Sequence, residues 1–445
     1  MTEADTSTFA QPAAPARVPD DAEFVLLGIP DMHGQIRGKA LRPSAFESAL
    51  RSGTVMTDLL LALDPTDEPI TDYESFGIRS GAGDMIVQPD IETLRTMAWR
   101  PGWSVCLARP SWPDGSACML DSREVLRHVL ADMSELGYDV TAAFEYEIRL
   151  RDENGEFLSS GISYSVGEIA RFDDFIRQLG PALDGLGVDL TAVHTEAGPG
   201  LLELNIAARP GLRAADDAAF VKLAAKEVAA AMGLTATFLA KTVPGQEGSS
   251  GHLHLSCWAD GENAFASSGD GELGGVFASA VAGVLDHLPG ASLLMNPTVN
   301  SYKRLVPGWF APVNVSWGLE NRSAAVRAIR SADHPERCRI ECRRPGADAN
   351  PYLALAALAA AAADGIRRGA SPPEPVVGDA SEREDLQPLP GSLESAIAAF
   401  RADAVLREAL GEEFSAYFEV SREWELKKWR ESVSDWERER YERAV

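Results

Sequence analysis

Apolar and polar residues alternate with a period of two along several short stretches of the chain, the pattern of strands that bury one face. In Phe144-Glu145-Tyr146-Glu147-Ile148 this period puts both carboxylates on the same face. Residues 252–258 alternate as cleanly and carry His252 and His254 on one face. Shorter runs at 24–29, 59–63, 84–88 and 105–109 read as further strands, 34–39 as a hairpin connection into another, and 43–51 as a helix ended near Gly53. These predict a small first domain of about 90 residues. Beyond a boundary over 110–121, a helix begins at Ser122 with Ser/Glu capping chemistry and a second opens at Phe172-Asp173-Asp174. Residues 214–232 and 351–367 read as long helices, 188–194 and Leu201–Ile206 as an antiparallel pair, and 339–343 as a strand. The pattern predicts a larger α+β domain, with an exposed Pro-rich acidic loop over 371–391.

Length and composition change this picture little. A chain of 445 residues, 45% hydrophobic and 24% charged, is long enough for two or more domains. Lys and Arg number 41 against 67 Asp and Glu, a formal charge of -26. That field disfavours nucleic acid and anionic membranes and attracts cations, amines included. An anionic substrate would need a local arginine cluster. Five cysteines, an odd and sparse set, suit a reducing cytoplasm and core packing better than a disulfide framework. Residues 1–20, rich in Ala, Pro and Thr, read as a disordered tail. The longest apolar run, 353–363, is too short to span a bilayer, so no membrane segment is expected.

The chemistry gathers in a few places. Besides Glu145 and Glu147 there are Glu196 and Glu203 on either side of the turn Ala197-Gly198-Pro199-Gly200, Glu341 in Arg339-Ile340-Glu341-Cys342-Arg343, and the His252/His254 pair. An E-x-E pair alone is usually a solvated strand face. Two imidazoles on one strand face are a stronger sign of ligation. Five carboxylates with His252 could hold two or three Mg²⁺ or Mn²⁺ ions, leaving open positions for phosphate oxygens. Arg304, Arg322, Arg327, Arg339 and Arg343 supply the planar forks that suit phosphate and carboxylate. Each alone is an ordinary surface or ion-pair residue, and the conjunction shifts the balance.

Along nearly its whole length the chain resembles glutamine synthetase, type I. The resemblance runs through Asp31-Met32-His33-Gly34, the stretch 296–308, Asn321-Arg322-Ser323-Ala324-Ala325 and Asn350-Pro351-Tyr352, to Ser434-Asp435-Trp436-Glu437. It implies an α+β fold, with an N-terminal β-grasp domain over 21–112 and a C-terminal catalytic domain over 113–445 containing a curved antiparallel sheet. It also implies a homo-oligomer of two stacked hexameric rings, a dodecamer. By the same resemblance Glu147, Glu196 and Glu203 hold the metal nearer glutamate, and Glu145, His252 and Glu341 the metal nearer the ATP phosphates. Glu147 and His252 also border the amino-acid substrate. Arg304 and Arg343 grip its carboxylates with the backbone of Gly248. Arg322 and Arg327 sit on the transferred phosphoryl group, Arg339 near ATP, and His254 and Ser256 on the nucleotide side. The implied chemistry is phosphorylation of the glutamate side chain by ATP, then attack on the acyl phosphate by an amine.

The departures from the resemblance are as informative. Phe310 stands where the family has the glutamate that closes over the intermediate and takes a proton from ammonium. The family's Asp-Gly-Ser-Ser loop, whose Asp also binds ammonium, is absent, with Asp58 as a loose substitute in Val55-Met56-Thr57-Asp58-Leu59-Leu60. Thr195 replaces a His and Glu247 an Asn. The tyrosine that some bacterial members adenylylate would lie near 378–390, where this chain has none. Metal and ATP machinery thus stay intact while the ammonium site is dismantled. The expected activity is that of a glutamate–amine ligase, with Trp309 and Phe310 as an apolar wall for an organic amine. True glutamine synthetase and a non-catalytic regulator that binds ATP or glutamate are the alternatives.

Overall fold

The computed structural model describes residues 17–266 and 273–445; the tail expected over 1–20 falls mostly outside the described residues. Two sheets organise it. The first runs in the order Ile36–Leu41, Phe24–Pro30, Trp103–Ser111, Asp84–Pro89, Thr54–Thr57, with Arg95–Thr96 also on Trp103–Ser111. Its one parallel pair is Phe24–Pro30 with Trp103–Ser111. The second sheet is curved and runs Trp317–Leu319, Val326–Ile329, Arg339–Cys342, Gly251–Ala259, Asp139–Arg151, Leu201–Ile206, Leu190–Thr195. Neighbours in this order pair antiparallel except at the Trp317–Leu319 edge.

The central strand Asp139–Arg151 shows why the site lies where it does. Val140, Ala142, Phe144, Tyr146, Ile148 and Leu150 are buried, and Thr141, Ala143, Glu145 and Glu147 between them are only half-buried. One face therefore packs on the helices Ser122–Glu135, Gly211–Ala231, Gly275–Met295 and Pro351–Arg368, and the other is free to carry chemistry. The helix Gly275–Met295 is long and apolar enough by composition to cross a membrane, but 72% of its most apolar window is buried inside the protein. Its pattern has no polar face to announce it, as expected of a helix buried all round.

Two of the motifs that carry the resemblance, at Asp31–Gly34 and Asn350–Tyr352, meet for structural reasons. Asp31 accepts from the backbone N–H of His33 and Gln35, at 2.8 and 2.9 Å, and from Arg37 at 2.7 Å, which closes the turn into Ile36–Leu41. Asn350 Nδ2 donates to the Asp31 carbonyl (2.9 Å), and its Oδ1 caps the helix Pro351–Arg368. Gly34, at φ +78°, leaves only 3.3 Å between an added Cβ and Asn350 or Pro351. The turn after Phe24–Pro30 is thereby tied to the start of the helix Pro351–Arg368.

Three local expectations are corrected. Residues 59–63 are not a strand: Asp58–Ala62 is a 3₁₀ turn capped by Thr57, and the strand is Thr54–Thr57. A short apolar run without alternation cannot by itself separate the two. The helix Ser122–Glu135 is capped by Asp121, which accepts from the Glu124 N–H (2.9 Å), not by Ser122. The stretch 371–391 is not simply exposed. Val376, Ala380 and Leu389 are buried, and Val376 N–H donates to the Trp317 carbonyl (2.8 Å), covering the sheet edge.

Candidate active site

Cross-strand register assembles the site. Residues directly opposite on neighbouring strands share a face. One row pairs His252 with Glu145 and Glu145 with Asn205; the next pairs Glu147 with Glu203 and Glu203 with His194. On the far side Arg327 faces Glu341, and Glu341 faces His254. These rows line a cavity of about 750 Å³ that contains Glu145, Glu147, Glu196, Glu203, Gly248, His252, Arg304, Phe310, Arg322, Arg327, Glu341 and Arg343. A second cavity of about 790 Å³ takes in His254, Ser256 and Arg339 and shares Glu145 and Asn205 with the first. Asp58 lines neither; it is buried in the first-sheet layer and accepts from the Gly77 N–H (3.2 Å).

Two groups of metal-type donors lie on this face: Glu145, His252 and Glu341, and His194, Glu196 and Glu203, each with ligand atoms within 4.8 Å of one another. His252 Nδ1 is 3.6 Å from Glu145 and 4.0 Å from Glu341. Its Nε2 is buried without a hydrogen-bond partner among the described residues. Carboxylate oxygens with one imidazole are a hard donor set, which fits Mg²⁺ or Mn²⁺. Electrostatics point the same way. Burial, then the fields of Glu147 and Glu145, push Glu203 up to about 8. Burial likewise raises Glu147, which the Ser250 N–H (2.7 Å) only partly offsets. These are like charges held together without enough positive charge to balance them. Glu341 is buried too, but His254, Arg343 and His252 bring it down to about 2. Burial also opposes charge on Glu145, and the His254 and His252 imidazoles override it and hold it far below the usual carboxylate range.

The arginines divide by burial. Arg304 is 2% exposed, donates to Ser250 Oγ (3.2 Å) and the Arg344 carbonyl (2.5 Å), and keeps a buried Nε without a partner. Gly248 lies against it: an added Cβ would come 2.4 Å from Arg304 Cγ. Arg343 is also buried, bonds Glu341, and likewise has an unpaired Nε. Arg327 reaches Glu341 (2.8 Å) and Glu320. Arg322 is exposed at the cavity wall. In the second cavity Arg339 Nε donates to His254 Nδ1 (3.1 Å), which leaves His254 Nε2 3.0 Å from Glu145.

The loop 306–312 forms the open side. Phe310 is 60% exposed at φ +51°, a left-handed conformation unusual for a bulky residue. Trp309 is half-buried, with Lys241 Nζ 4.2 Å from its ring centroid.

Sequence reasoning missed His194, Tyr164 and Asn205. His194 could have been found, because it shares a strand face with Glu196 by the period of two; its Nε2 is 3.0 Å from Glu196 and 3.5 Å from Glu203. Tyr164, 70% exposed at φ +53°, stacks on His194 with centroids 4.3 Å apart. Thr195 positions it: its hydroxyl donates to the Ile162 carbonyl (2.9 Å) and accepts from the Ser165 N–H (3.1 Å). No local pattern marks a loop tyrosine of this kind.

Residues 119–441 match the family described as glutamine synthetase, catalytic domain. Among curated proteins, the glutamate–isopropylamine ligase of Pseudomonas sp is 34% identical over 94% of this chain and 95% of its own length. The gamma-glutamylethanolamide synthetase of Streptomyces coelicolor is 34% identical over 94% of this chain and 92% of its own. A solved complex of GmaS with ADP superposes with a TM-score of 0.84 at 28% identity, covering 95% of this chain and 97% of that one.

Proposed function

The chain belongs to the glutamine synthetase family, and from that premise we propose that it is an ATP-dependent ligase joining the side-chain carboxylate of glutamate to an organic amine. The observation that carries an organic amine over ammonia is Phe310. Where the resemblance implies a proton-accepting glutamate, this cavity presents an exposed phenyl ring on a wall that Trp309 and Tyr164 also line. Phenyl and indole faces attract an alkylammonium and its apolar substituent but cannot take a proton.

The division of labour follows the geometry. Glu145, His252 and Glu341 would hold one divalent ion, and Glu196 and Glu203, with Glu147 or His194, a second; together such ions supply charge neutralisation at the phosphoryl group. Arg304 and Arg343, buried with unpaired Nε–H groups, are placed to take the carboxylates of glutamate. Arg322 and Arg327 at the wall offer positive charge to the phosphoryl in flight, and His254, Ser256 and Arg339 border the second cavity, the place for the nucleotide. Phosphorylation makes the glutamate side chain an acyl phosphate. The amine nitrogen then attacks its carbonyl carbon, and phosphate leaves. Assembly as two hexameric rings in the cytoplasm belongs to the same proposal, and the five buried free thiols are in keeping with a reducing compartment.

The test is phosphate release from ATP with Mg²⁺ or Mn²⁺ and glutamate, across ammonia, alkylamines, ethanolamine, polyamines and aromatic amines, with product masses. A γ-glutamyl amide from an organic amine is the expected result. Turnover with ammonia alone would favour glutamine synthetase, and no turnover at all a non-catalytic regulator.

A further inference from the structure

The loop 306–312 offers the amine no carboxylate, and an amine arrives at neutral pH as an ammonium ion with no free electron pair. Something must hold that cation and take its proton. Among the cavity's carboxylates, Glu145, Glu196, Glu203 and Glu341 belong to the two metal-type groups, and Glu147 accepts from the Ser250 N–H. Glu247 is different. It lines the same cavity, is half-buried, and its carboxylate has no hydrogen bond or ion pair among the described residues. Its backbone carbonyl is held by buried Arg149, so its place on the wall is fixed. Burial, followed by the fields of Glu147 and Glu196, raises its proton affinity.

Its surroundings suit a primary ammonium. Tyr164, Trp309 and Phe310 line the cavity with it. The chain also places an alkylammonium of its own at this corner: Lys241 lies over the Trp309 ring, bonds the Gln246 carbonyl and feels the field of Glu247. Lys241 lines only the adjoining groove, so it does not fill the cavity.

Resting on the ligase reading above, we infer that Glu247 is the amine-side carboxylate: it holds the substrate's ammonium group against the aromatic wall and accepts its proton. The proton passes from nitrogen to a Glu247 oxygen. The freed electron pair forms the C–N bond to the acyl phosphate, the C–O bond to phosphate breaks, and the second N–H proton leaves with the phosphate. The acceptor then lies in the loop preceding Gly251–Ala259 and not in the 306–312 loop.

The experiment compares full-length wild type with Glu247→Gln and Glu247→Asp, using ethanolamine and isopropylamine against hydroxylamine, a nucleophile already neutral at pH 7. For Glu247→Gln we expect kcat/KM with the alkylamines to fall by about 10²-fold, the usual worth of general base catalysis. The loss with hydroxylamine is expected to be about tenfold smaller, and Glu247→Asp restores part of the alkylamine rate. Equal losses with both nucleophiles would reduce Glu247 to a structural role and overturn the inference. So would a raised KM for glutamate with alkylamine kcat/KM intact, which would mean that Glu247 reads the α-ammonium of glutamate. Failure of the wild type to form any γ-glutamyl product would sink the ligase reading instead, and would be seen before any variant was made.

Discussion

The buried charged networks in two regions of this protein look alike in composition and differ in closure. Between the helices, Arg123 meets Asp216 through two parallel bonds of 2.8 and 3.0 Å, and the Tyr352 hydroxyl donates to the same carboxylate at 2.9 Å. In the helical layer as well, His287 sits between Asp403 (2.9 Å) and Asp364 (3.0 Å) with both ring nitrogens engaged. On the sheet's open face, carboxylates crowd one another, and His252, Arg304 and Arg343 keep buried nitrogens unpaired. A buried charge network that closes on itself holds elements together. One that stays open costs stability unless a ligand completes it, and so marks where ligands bind. The contrast predicts that substitutions in the open network change activity, and substitutions in the closed ones change stability.

The largest effect is expected at Arg322. It is exposed, and among the described residues no ion pair or hydrogen bond holds it. Arg322→Ala should cost about 10³-fold in kcat, the lower end for an arginine on a transferring phosphoryl group. Its unfolding free energy by urea denaturation should stay within about 0.5 kcal/mol of wild type. A lowered stability with retained turnover would place Arg322 among the structural residues instead. Asp216→Ala is the mirror experiment. It leaves buried Arg123 with Asp90 alone (2.9 Å) and the Tyr352 hydroxyl without its acceptor, for an expected loss of about 3 kcal/mol by chemical denaturation, the low end for breaking a buried pair. The kcat of whatever fraction remains folded should be close to normal.

The open network was legible in the sequence in part, and for a definite reason. Period two alone puts Glu145 and Glu147 on one face, and the chain order of motifs carries the rest by family resemblance. Which strands become neighbours is set by tertiary register, so the rungs Glu145–His252 and Glu203–His194 could not be read locally. The closed networks were invisible for the same reason: Arg123, Asp216 and Tyr352 come from three helices with no shared pattern. The 59–63 error and the unforeseen helix Gly275–Met295 have one cause. An apolar run without alternation reports burial but not geometry.

Phe310→Glu tests the rim, where the open face is aromatic. A carboxylate there would desolvate poorly against an amine's apolar substituent and would offer ammonia a proton acceptor. Expected is a fall of about tenfold in kcat/KM for a bulky amine, the scale of one lost apolar contact in a pocket. A gain in ammonia use should accompany it. An unchanged amine profile would remove Phe310 from the amine pocket.

The smallest expected effect tests whether the closed networks are purely structural. His287 is faced by Asp403 and Asp364 directly, while Arg368 bonds Asp364 and also Asp286. Burial opposes its charge, but the two carboxylates outweigh burial and raise its pKa above the ordinary 6.5. Both ring nitrogens must carry protons to donate to both acids. The folded state therefore binds the proton more tightly than the unfolded chain, and the stabilisation is complete below 6.5 and lost as pH climbs through the raised folded value. Subtracting the stability curve of His287→Gln from that of wild type, by urea denaturation from pH 6 to 9, isolates this contribution. The difference should shrink steadily with rising pH, while the pH dependence of kcat stays the same in both proteins. A difference that is flat across the range would mean the imidazole is neutral in the fold. The network would then be closed in geometry but not in charge, and the distinction between the two regions would rest on their unpaired groups alone.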